Sequence, residues 1–470
     1  MYEAPTSSAD REAERRYDLF RLFEIICGDS REGINMRRLD WASRLTIVLA
    51  AACSLGGGEA FAQAQGLAAA GPVDPGHGFP QFYQDKAGQA LEPCLDNSLT
   101  TDPCGILAAL PNFLQPVVFP TNFPNEFFYW MAVSRIRAAP GNRNLRADLT
   151  LALEGAFGGA TGAVVPGDQI TFARFRFRVT AGLVPNATYT LTYPFGVKAF
   201  VASPSGTINF TEDQGCGAVP PACNFASVLP TTNAGPFLRW DATAPAPPTG
   251  FIGDPAVDHP VTGSPFGTNI MRIDGPNVGG PGVNTVQTNL FSITGKAFNG
   301  VLVTPLMIDR TSFARTAAGS SEIDLFAHSV GSATVTASAA GLPTTTLSKD
   351  PVVGRFDAGV NLAPSTSLPA FIRYTATSPG NDPTVRDTPL VDEVTVTTAT
   401  YSQSGRVLTV NAVSSDQLGA PTLTAAGNPQ EPLGTLTGGV LVLPLAAPPF
   451  QVTVTSSAGG TGTLLVDLTP

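Results

Sequence analysis

The side chains that could carry out catalysis are few and widely spaced along this 470-residue chain. Histidine occurs only as His77, His259 and His328, so a Ser-His-Asp triad or a histidine metal site would have to be assembled from distant segments. None of the three lies in an HExxH motif, and the chain has no G-x-S-x-G motif, P-loop or EF-hand loop. The sequence therefore predicts no catalytic residue, no cofactor and a protein that is not an enzyme.

The densest group of metal-ligand types is the segment GDPAVDH, which contains Asp254, Asp258 and His259. Carboxylate and imidazole donors this close together could hold Ca²⁺ weakly, as extracellular modules do. The competing interpretation is a turn in which Asp254, which precedes Pro255, accepts a hydrogen bond from nearby backbone. Both interpretations remain open at the level of sequence.

A carbohydrate-binding or carbohydrate-active protein is the alternative function. Glycoside hydrolysis needs two facing carboxyl groups, and Glu126, Glu154 and Glu212 are candidates for such a pair. Trp130 and Trp240 could stack on sugar rings in a groove of the N-terminal half. However, Trp130 ends the apolar run FFYW, which is also typical of a strand buried on both faces.

Alternating patterns predict β-strands as the elements that would position these residues. In FARFRFRVT (172–180) Phe and Val alternate with Arg, and this period of two is typical of a half-buried strand. Similar runs occur at 394–400, 406–413 and 451–457, separated by turn-forming Gly, Ser and Pro. No long amphipathic helix is evident after residue 63. The pattern predicts several antiparallel β-sandwich domains in tandem.

The segment LVPNATYTL (183–191) resembles the tyrosine corner of fibronectin type III and immunoglobulin-like domains. In that feature a Tyr at the start of a strand returns its hydroxyl to backbone a few residues upstream. Here the resemblance implies that Tyr189 reaches the segment 183–186. It covers about ten residues and implies a fold without implying a function.

Residues 36–62 have the order of a secretory signal peptide: a positive n-region, an apolar run at 45–55 and a small-x-small cleavage site that ends at Ala62. The sequence therefore predicts an extracellular or periplasmic protein, with residues 1–35 as a misassigned upstream extension. A bacterial lipoprotein attached through Cys53 is a rival interpretation. The apolar run of about 11 residues is too short for a membrane-spanning helix, so no transmembrane anchor is expected.

Four cysteines follow the expected cleavage site in two close pairs. Their even number, local spacing and oxidising destination predict the disulfide bonds Cys94–Cys104 and Cys216–Cys223. The formal net charge is −10, without a basic stripe, which argues against nucleic acid as a partner. A glycan or a cell-surface protein is the kind of partner that remains, and neither is specified.

Composition also predicts where one domain ends and the next begins. The Pro-rich segment 241–250 and the polar segment 378–389 are typical of linkers or long loops. We predict that an aromatic-rich and turn-rich segment at 63–117 packs on a β-sandwich at 118–235. A β-rich middle region at 236–388 and a C-terminal Ig-like sandwich at 389–470 follow. The whole indicates a secreted or cell-envelope protein with a structural or adhesive role.

Overall fold

The computed structural model describes residues 65–98, 100–217, 219, 222–350, 354–364, 366–427 and 431–470. The predicted signal peptide, the upstream extension and Cys53 lie outside these residues. Within them the chain forms 31 β-strands and two short 3-10 helices, Leu107–Ala109 and Phe225–Val228. None of the described helices is long and apolar enough to cross a membrane. The prediction of an all-β protein is confirmed.

The first fourteen strands build one β-sandwich. They are β1 (Leu67–Ala70), β2 (Tyr83–Asp85), β3 (Ala90–Glu92), β4 (Glu126–Ile136), β5 (Arg146–Phe157), β6 (Gln169–Ala181), β7 (Thr188–Tyr193), β8 (Gly196–Val201), β9 (Ile208–Gly215), β10 (Arg239–Trp240), β11 (His259–Thr262), β12 (Met271–Asp274), β13 (Thr285–Thr288) and β14 (Leu290–Ala297). The ten-stranded sheet follows the path β1-β2-β3-β14-β4-β5-β6-β9, with β10 and β11 joined to it through β14, and the second sheet has the order β13-β12-β7-β8.

Strand β6 shows why the alternating run folds as it does. Phe175, Phe177 and Val179 are completely buried, and the three intervening arginines lie on the opposite face of the sheet. Burial of a large apolar side chain stabilises the fold by about 1.5 to 3 kcal/mol. A shift of one residue in register would put the arginines into the core, so the pattern fixes the register of β6 against β5.

The first hydrophobic core is larger than the sequence predicts. It gathers side chains from Leu67 to Ile293, so the predicted boundaries at 117/118 and 235/236 both fall inside it. The physical reason is long-range pairing, because β14 lies between β3 and β4 and completes their sheet. The Pro-rich segment 241–250, predicted as a linker or a long loop, is correspondingly part of a long loop between β10 and β11 within the first sandwich.

The tyrosine corner is confirmed. Tyr189 is the second residue of β7 and its ring is buried. Its hydroxyl accepts a hydrogen bond of 2.8 Å from the backbone N–H of Val184. The same hydroxyl donates to the carbonyl oxygen of Pro276, also at 2.8 Å. The Tyr189 side chain thereby connects the segment that precedes β7 to the loop that follows β12.

A second sandwich follows. Its strands are β15 (Leu306–Arg315), β16 (Ser321–Ser329), β17 (Thr334–Ala339), β18 (Leu342–Thr346), β19 (Ser348–Asp350), β20 (Arg355–Leu362), β21 (Phe371–Thr377), β22 (Thr384–Pro389) and β23 (Val391–Asp392). The sheets are β19-β20-β16-β15-β23 and β18-β17-β21-β22, around a core that runs in sequence from Leu306 to Leu390. The segment 378–389, predicted as a linker or a long loop, lies within this sandwich, and its second half, residues 384–389, forms the edge strand β22, where proline is tolerated.

The third sandwich has its own core, with side chains from Val394 to Val454. Its strands are β24 (Val394–Ser402), β25 (Val407–Ser414), β26 (Leu423–Gly427), β27 (Pro432–Thr435), β28 (Val440–Pro444), β29 (Gln451–Ser456), β30 (Thr461–Leu465) and β31 (Asp467–Thr469). They form the sheets β28-β25-β24-β31 and β27-β26-β29-β30.

Candidate functional site

Both tryptophans proposed as sugar platforms are buried. Trp130 is completely inaccessible, and its indole N–H donates to the carbonyl oxygen of Leu238 at 3.0 Å. Trp240 is 6% exposed and stacks on the imidazole of His259, with ring centroids 4.3 Å apart. Neither ring can stack on a sugar from solution, so the predicted aromatic groove in the N-terminal half is not formed by these residues.

The three predicted metal ligands make separate contacts. The Asp254 carboxylate accepts a hydrogen bond of 2.8 Å from the backbone N–H of Ala256, which is the turn interpretation of this segment. Asp258 lies 3.7 Å from a guanidinium nitrogen of Arg135. His259 is buried under Trp240, with Nδ1 2.8 Å from the carbonyl oxygen of Pro260. Among the described residues, no three His, Cys, Asp or Glu side chains are grouped to hold a metal ion.

His259 also lies near a hydroxyl and a carboxylate. The Thr243 hydroxyl is 2.5 Å from Asp241 and 3.4 Å from His259 Nε2. In a nucleophilic triad the hydroxyl donates to His and the His donates to the acid. Here the hydroxyl donates directly to Asp241 and Nδ1 faces Pro260. The Thr243–Asp241 hydrogen bond is therefore a local contact within a loop, and His259 is not placed to activate Thr243 as a nucleophile.

Two of the three predicted carboxylates do meet. Glu154 in β5 lies 2.9 Å from Nη1 of Arg174 in β6, an ion pair without hydrogen-bond geometry, and Glu126 in β4 lies 3.6 Å from the same nitrogen. The third, Glu212, forms a separate ion pair of 2.7 Å with Lys198. Arg174 is the residue that sequence analysis missed, because it looked like one more outward-facing position of an alternating strand.

The electrostatics of this cluster are unusual. Burial raises the pKa of Glu154 to about 9, and the neighbouring Glu126 adds to the increase, while Arg174 opposes it. Arg174 is already engaged with Asp213 through two hydrogen bonds of 2.8 Å, so its charge is shared. A carboxyl group whose raised pKa keeps it protonated can act as a general acid. However, Glu154 is only 1% exposed, which keeps a substrate from reaching its carboxyl group.

A groove in the second sandwich is the accessible polar feature that sequence analysis missed. Its floor is a cross-strand row of Ser338 in β17, Arg373 in β21 and Asp387 in β22. Arg373 donates from Nε and Nη2 to the two carboxylate oxygens of Asp387 at 2.7 and 2.9 Å. The Arg373 side chain is 41% exposed, whereas that of Asp387 is buried.

Three adjoining cavities make up this feature, which we call the Arg373 groove. The central cavity, of about 380 Å³, lies over the floor row. Arg373 also lines a second cavity of about 250 Å³, whose opposite wall is the 111–122 loop of the first sandwich. Phe371 and Ala340 join the central cavity to a third, of about 500 Å³, beside residues 366–370.

Comparisons with known proteins provide no closer identification. No protein-family model matches the chain, and no curated protein matches it significantly. The Ig1-2 module of the Drosophila receptor protein tyrosine phosphatase DLAR is 13% identical, over 35% of this chain and 100% of that one, with a TM-score of 0.15. A bacterial ice-binding adhesin is 12% identical over 64% and 91% of the two chains, also with a TM-score of 0.15. The BSP domain of a biofilm-associated protein is 10% identical over 64% of each chain, with a TM-score of 0.17. At these TM-scores the fold assignment rests on the sheets and cores described above.

Proposed function

We propose that this chain is an exported, non-catalytic β-sandwich protein that serves in structure or adhesion. The observation that carries the proposal is the way in which successive sandwiches are connected, at what we call the joints of the chain. Successive sandwiches contact each other through specific hydrogen bonds and ion pairs, and the connecting chain is short: residues 298–305 separate β14 from β15, and Glu393 alone separates β23 from β24. A protein that must transmit force or hold a surface in a fixed position needs such joints, whereas flexible linkers would let its domains turn independently.

The joint between the first and second sandwiches uses backbone and side-chain groups. The backbone N–H of Asp387 donates to Phe119 O at 2.9 Å, and its carboxylate accepts from the Thr121 hydroxyl. Val303 N–H donates to the side-chain oxygen of Gln81 at 3.0 Å. Asp387 therefore binds Arg373 within its own sandwich and two residues of the preceding one.

The joint between the second and third sandwiches is denser. Arg315 donates to both carboxylate oxygens of the buried Asp416, at 2.8 and 2.7 Å. The linking segment Val391–Asp392 is itself strand β23, which pairs with β15 of the second sandwich. Asp392 also accepts a hydrogen bond of 2.9 Å from Gly460 N–H. A Cβ on Gly460 would lie 2.1 Å from the Asp392 carbonyl oxygen, so only glycine permits this approach.

The disulfide bonds support export. The structure joins Cys94 to Cys104 and Cys216 to Cys223, and both bridges close short loops. Disulfides form and persist in oxidising compartments, outside the cytosol. The location that follows is extracellular or periplasmic, as the signal-like segment indicates.

Retention under flow tests the proposal. Beads coated with the secreted protein are exposed to surfaces of envelope polysaccharide, matrix protein or the protein itself, and retention is measured at rising shear. We expect retention on at least one surface, and earlier detachment of beads that carry the Asp416→Ala variant, with static binding unchanged. Asp148→Ala is the matched control, because it breaks an exposed ion pair with Arg137 inside the first sandwich. Absence of retention together with release of reducing sugar from a polysaccharide would favour the carbohydrate-active alternative.

A further inference from the structure

We propose that the Arg373 groove is a binding site for an uncharged oligosaccharide. This inference rests on the proposed adhesive function and assigns to it a ligand class and a place. The site differs from the groove that sequence analysis expected, because it lies on the second sandwich, with one wall supplied by the first.

The floor of the groove suits hydroxyl groups. A guanidinium offers donors in a fixed plane and a serine hydroxyl both donates and accepts, so Arg373 and Ser338 can pair with neighbouring sugar hydroxyls, while the buried Asp387 holds the guanidinium in place. The hydrogen bonds to Asp387 use Nε and Nη2 of Arg373, so Nη1 takes no part in them. Pockets that bind small molecules typically combine a few such fixed polar groups with apolar walls.

The apolar component is Phe371. Its side chain is 38% exposed, and it lines both the central and the third cavity. The face of an aromatic ring is flat and carries partial negative charge, so it attracts the weakly positive C–H groups on one face of a sugar ring. An aromatic ring next to a hydrogen-bonding row is the pairing that a pyranose requires.

The charge balance favours a neutral ligand. Arg373 is already neutralised by Asp387, which is itself held by Thr121. A sulfated or phosphorylated ligand would need a guanidinium that is not committed to a carboxylate. A sugar hydroxyl can accept a hydrogen bond from the exposed Arg373 without displacing Asp387.

The backbone of the floor argues against an extended peptide. Strand β17 pairs with β18 and β21, and β21 pairs with β17 and β22. A peptide that adds to a sheet needs an unpaired strand edge. Strands β17 and β21 have none, and at Asp387 the outward backbone N–H of the edge strand β22 already donates to Phe119 O. Recognition in the groove must therefore be made by side chains.

The wall from the first sandwich is held in place before any ligand arrives. The Asn122 side-chain amide donates to the carbonyl oxygens of Asn112 and Pro116, both at 2.9 Å, and its oxygen accepts from Asn112 N–H at 2.9 Å. Asn122 is buried. A pre-organised wall lowers the ordering cost of binding.

The test uses the secreted protein and defined probes in calorimetry. The probes are neutral cello-, manno-, xylo- and chito-oligosaccharides of four to six units, a sulfated heparin hexamer and a proline-rich decapeptide. We expect at least one neutral oligosaccharide to bind with a Kd below about 1 mM. Phe371→Ala should weaken that binding by about tenfold or more, and Ala340→Trp, which fills the groove from an exposed position, should abolish it.

The matched control is Phe450→Ala, which removes a Phe that is 71% exposed in the third sandwich and should leave binding within about twofold. No binding of any neutral oligosaccharide, or binding that both groove variants leave intact, would overturn the inference. Binding of only the heparin hexamer or only the decapeptide would also overturn it. If the beads described above are retained although no oligosaccharide binds, the inference fails and the proposed adhesive function stands. If neither occurs, both fail.

Discussion

At the scale of single residues, Tyr189 is where sequence and structure agree most closely. Its hydroxyl bonds two backbone groups, Val184 N–H and Pro276 C=O. We expect Tyr189→Phe to lower the free energy of unfolding by about 1 to 3 kcal/mol, since both groups lose a partner. Tyr189→Ala should cost about 3 to 5 kcal/mol because it also leaves a cavity. Denaturant unfolding measures both values.

Tyr401→Phe provides a comparison in the third sandwich. Tyr401 is also buried, but its hydroxyl makes a single bond of 2.9 Å to the carbonyl oxygen of Leu445. Tyr401→Phe should therefore lower the free energy of unfolding by about 0.5 to 1.5 kcal/mol. If Tyr189→Phe costs no more than Tyr401→Phe, the double role of Tyr189 is not supported.

The pKa of Glu154 gives a prediction for pH dependence. Burial raises this pKa from 4.5 to about 9, so between these values the folded protein binds a proton that the unfolded chain releases. The stability supplied by this proton is complete below pH 4.5 and is lost as the pH rises towards 9. Glu154→Gln does not titrate. Relative to the variant, the parent should lose at least about 1.4 kcal/mol between pH 5 and 9, the equivalent of one pKa unit.

Thermal unfolding over that pH range measures the difference. Glu322→Gln is a suitable control because Glu322 is exposed on β16. Its pH profile should be parallel to that of the parent. A parallel profile for Glu154→Gln as well would show that Glu154 is ionised in the folded protein.

At the scale of elements, the two disulfide bonds should differ in reactivity. Cys94 and Cys104 are buried, whereas Cys216 and Cys223 are partly exposed. Exchange requires a thiolate to reach a sulfur atom, so dithiothreitol should reduce Cys216–Cys223 first under native conditions. Alkylation and peptide mapping at successive times give the order. Reduction of Cys94–Cys104 first would contradict the burial of that loop.

The elements also show what could be predicted from the sequence. The alternation in β6 predicted its buried face, and the pattern around Tyr189 predicted its hydrogen bond, because both depend on neighbours in sequence. The extent of the first sandwich was not predictable in this way. Its sheet is completed when β14 pairs with β4, more than a hundred residues earlier, and no local pattern encodes that contact.

The same distinction applies to the sites. Glu126 and Glu154 were recognisable as candidates, but their meeting at Arg174 depends on the registers of β4, β5 and β6. The Arg373 groove was missed because its floor and its wall come from two sandwiches. The available signal was the alternation of Arg373 with apolar neighbours in β21, which any exposed strand position would give.

At the scale of the whole described chain, the joints between sandwiches determine whether the three domains move independently. Asp416 is buried and receives both hydrogen bonds from Arg315, so Asp416→Ala leaves the guanidinium without its partner. Because the Arg315 side chain is 27% exposed and can be partly solvated, we expect the loss of its hydrogen bonds to cost about 1 to 3 kcal/mol. Here part of that loss should appear as looser attachment of the third sandwich rather than as unfolding of its core. Proteolysis near residue 390 should be faster in the variant than in the parent.

The most direct test of the joints is the distance distribution between spin labels on the second and third sandwiches. Ser332→Cys and Gln403→Cys place labels at exposed positions on either side of the joint, and double electron–electron resonance measures their separation. A fixed joint should give a single narrow distribution in the parent and a broader one in Asp416→Ala. A broad distribution in the parent would contradict the fixed joint, and with it the structural basis of the proposed adhesive role.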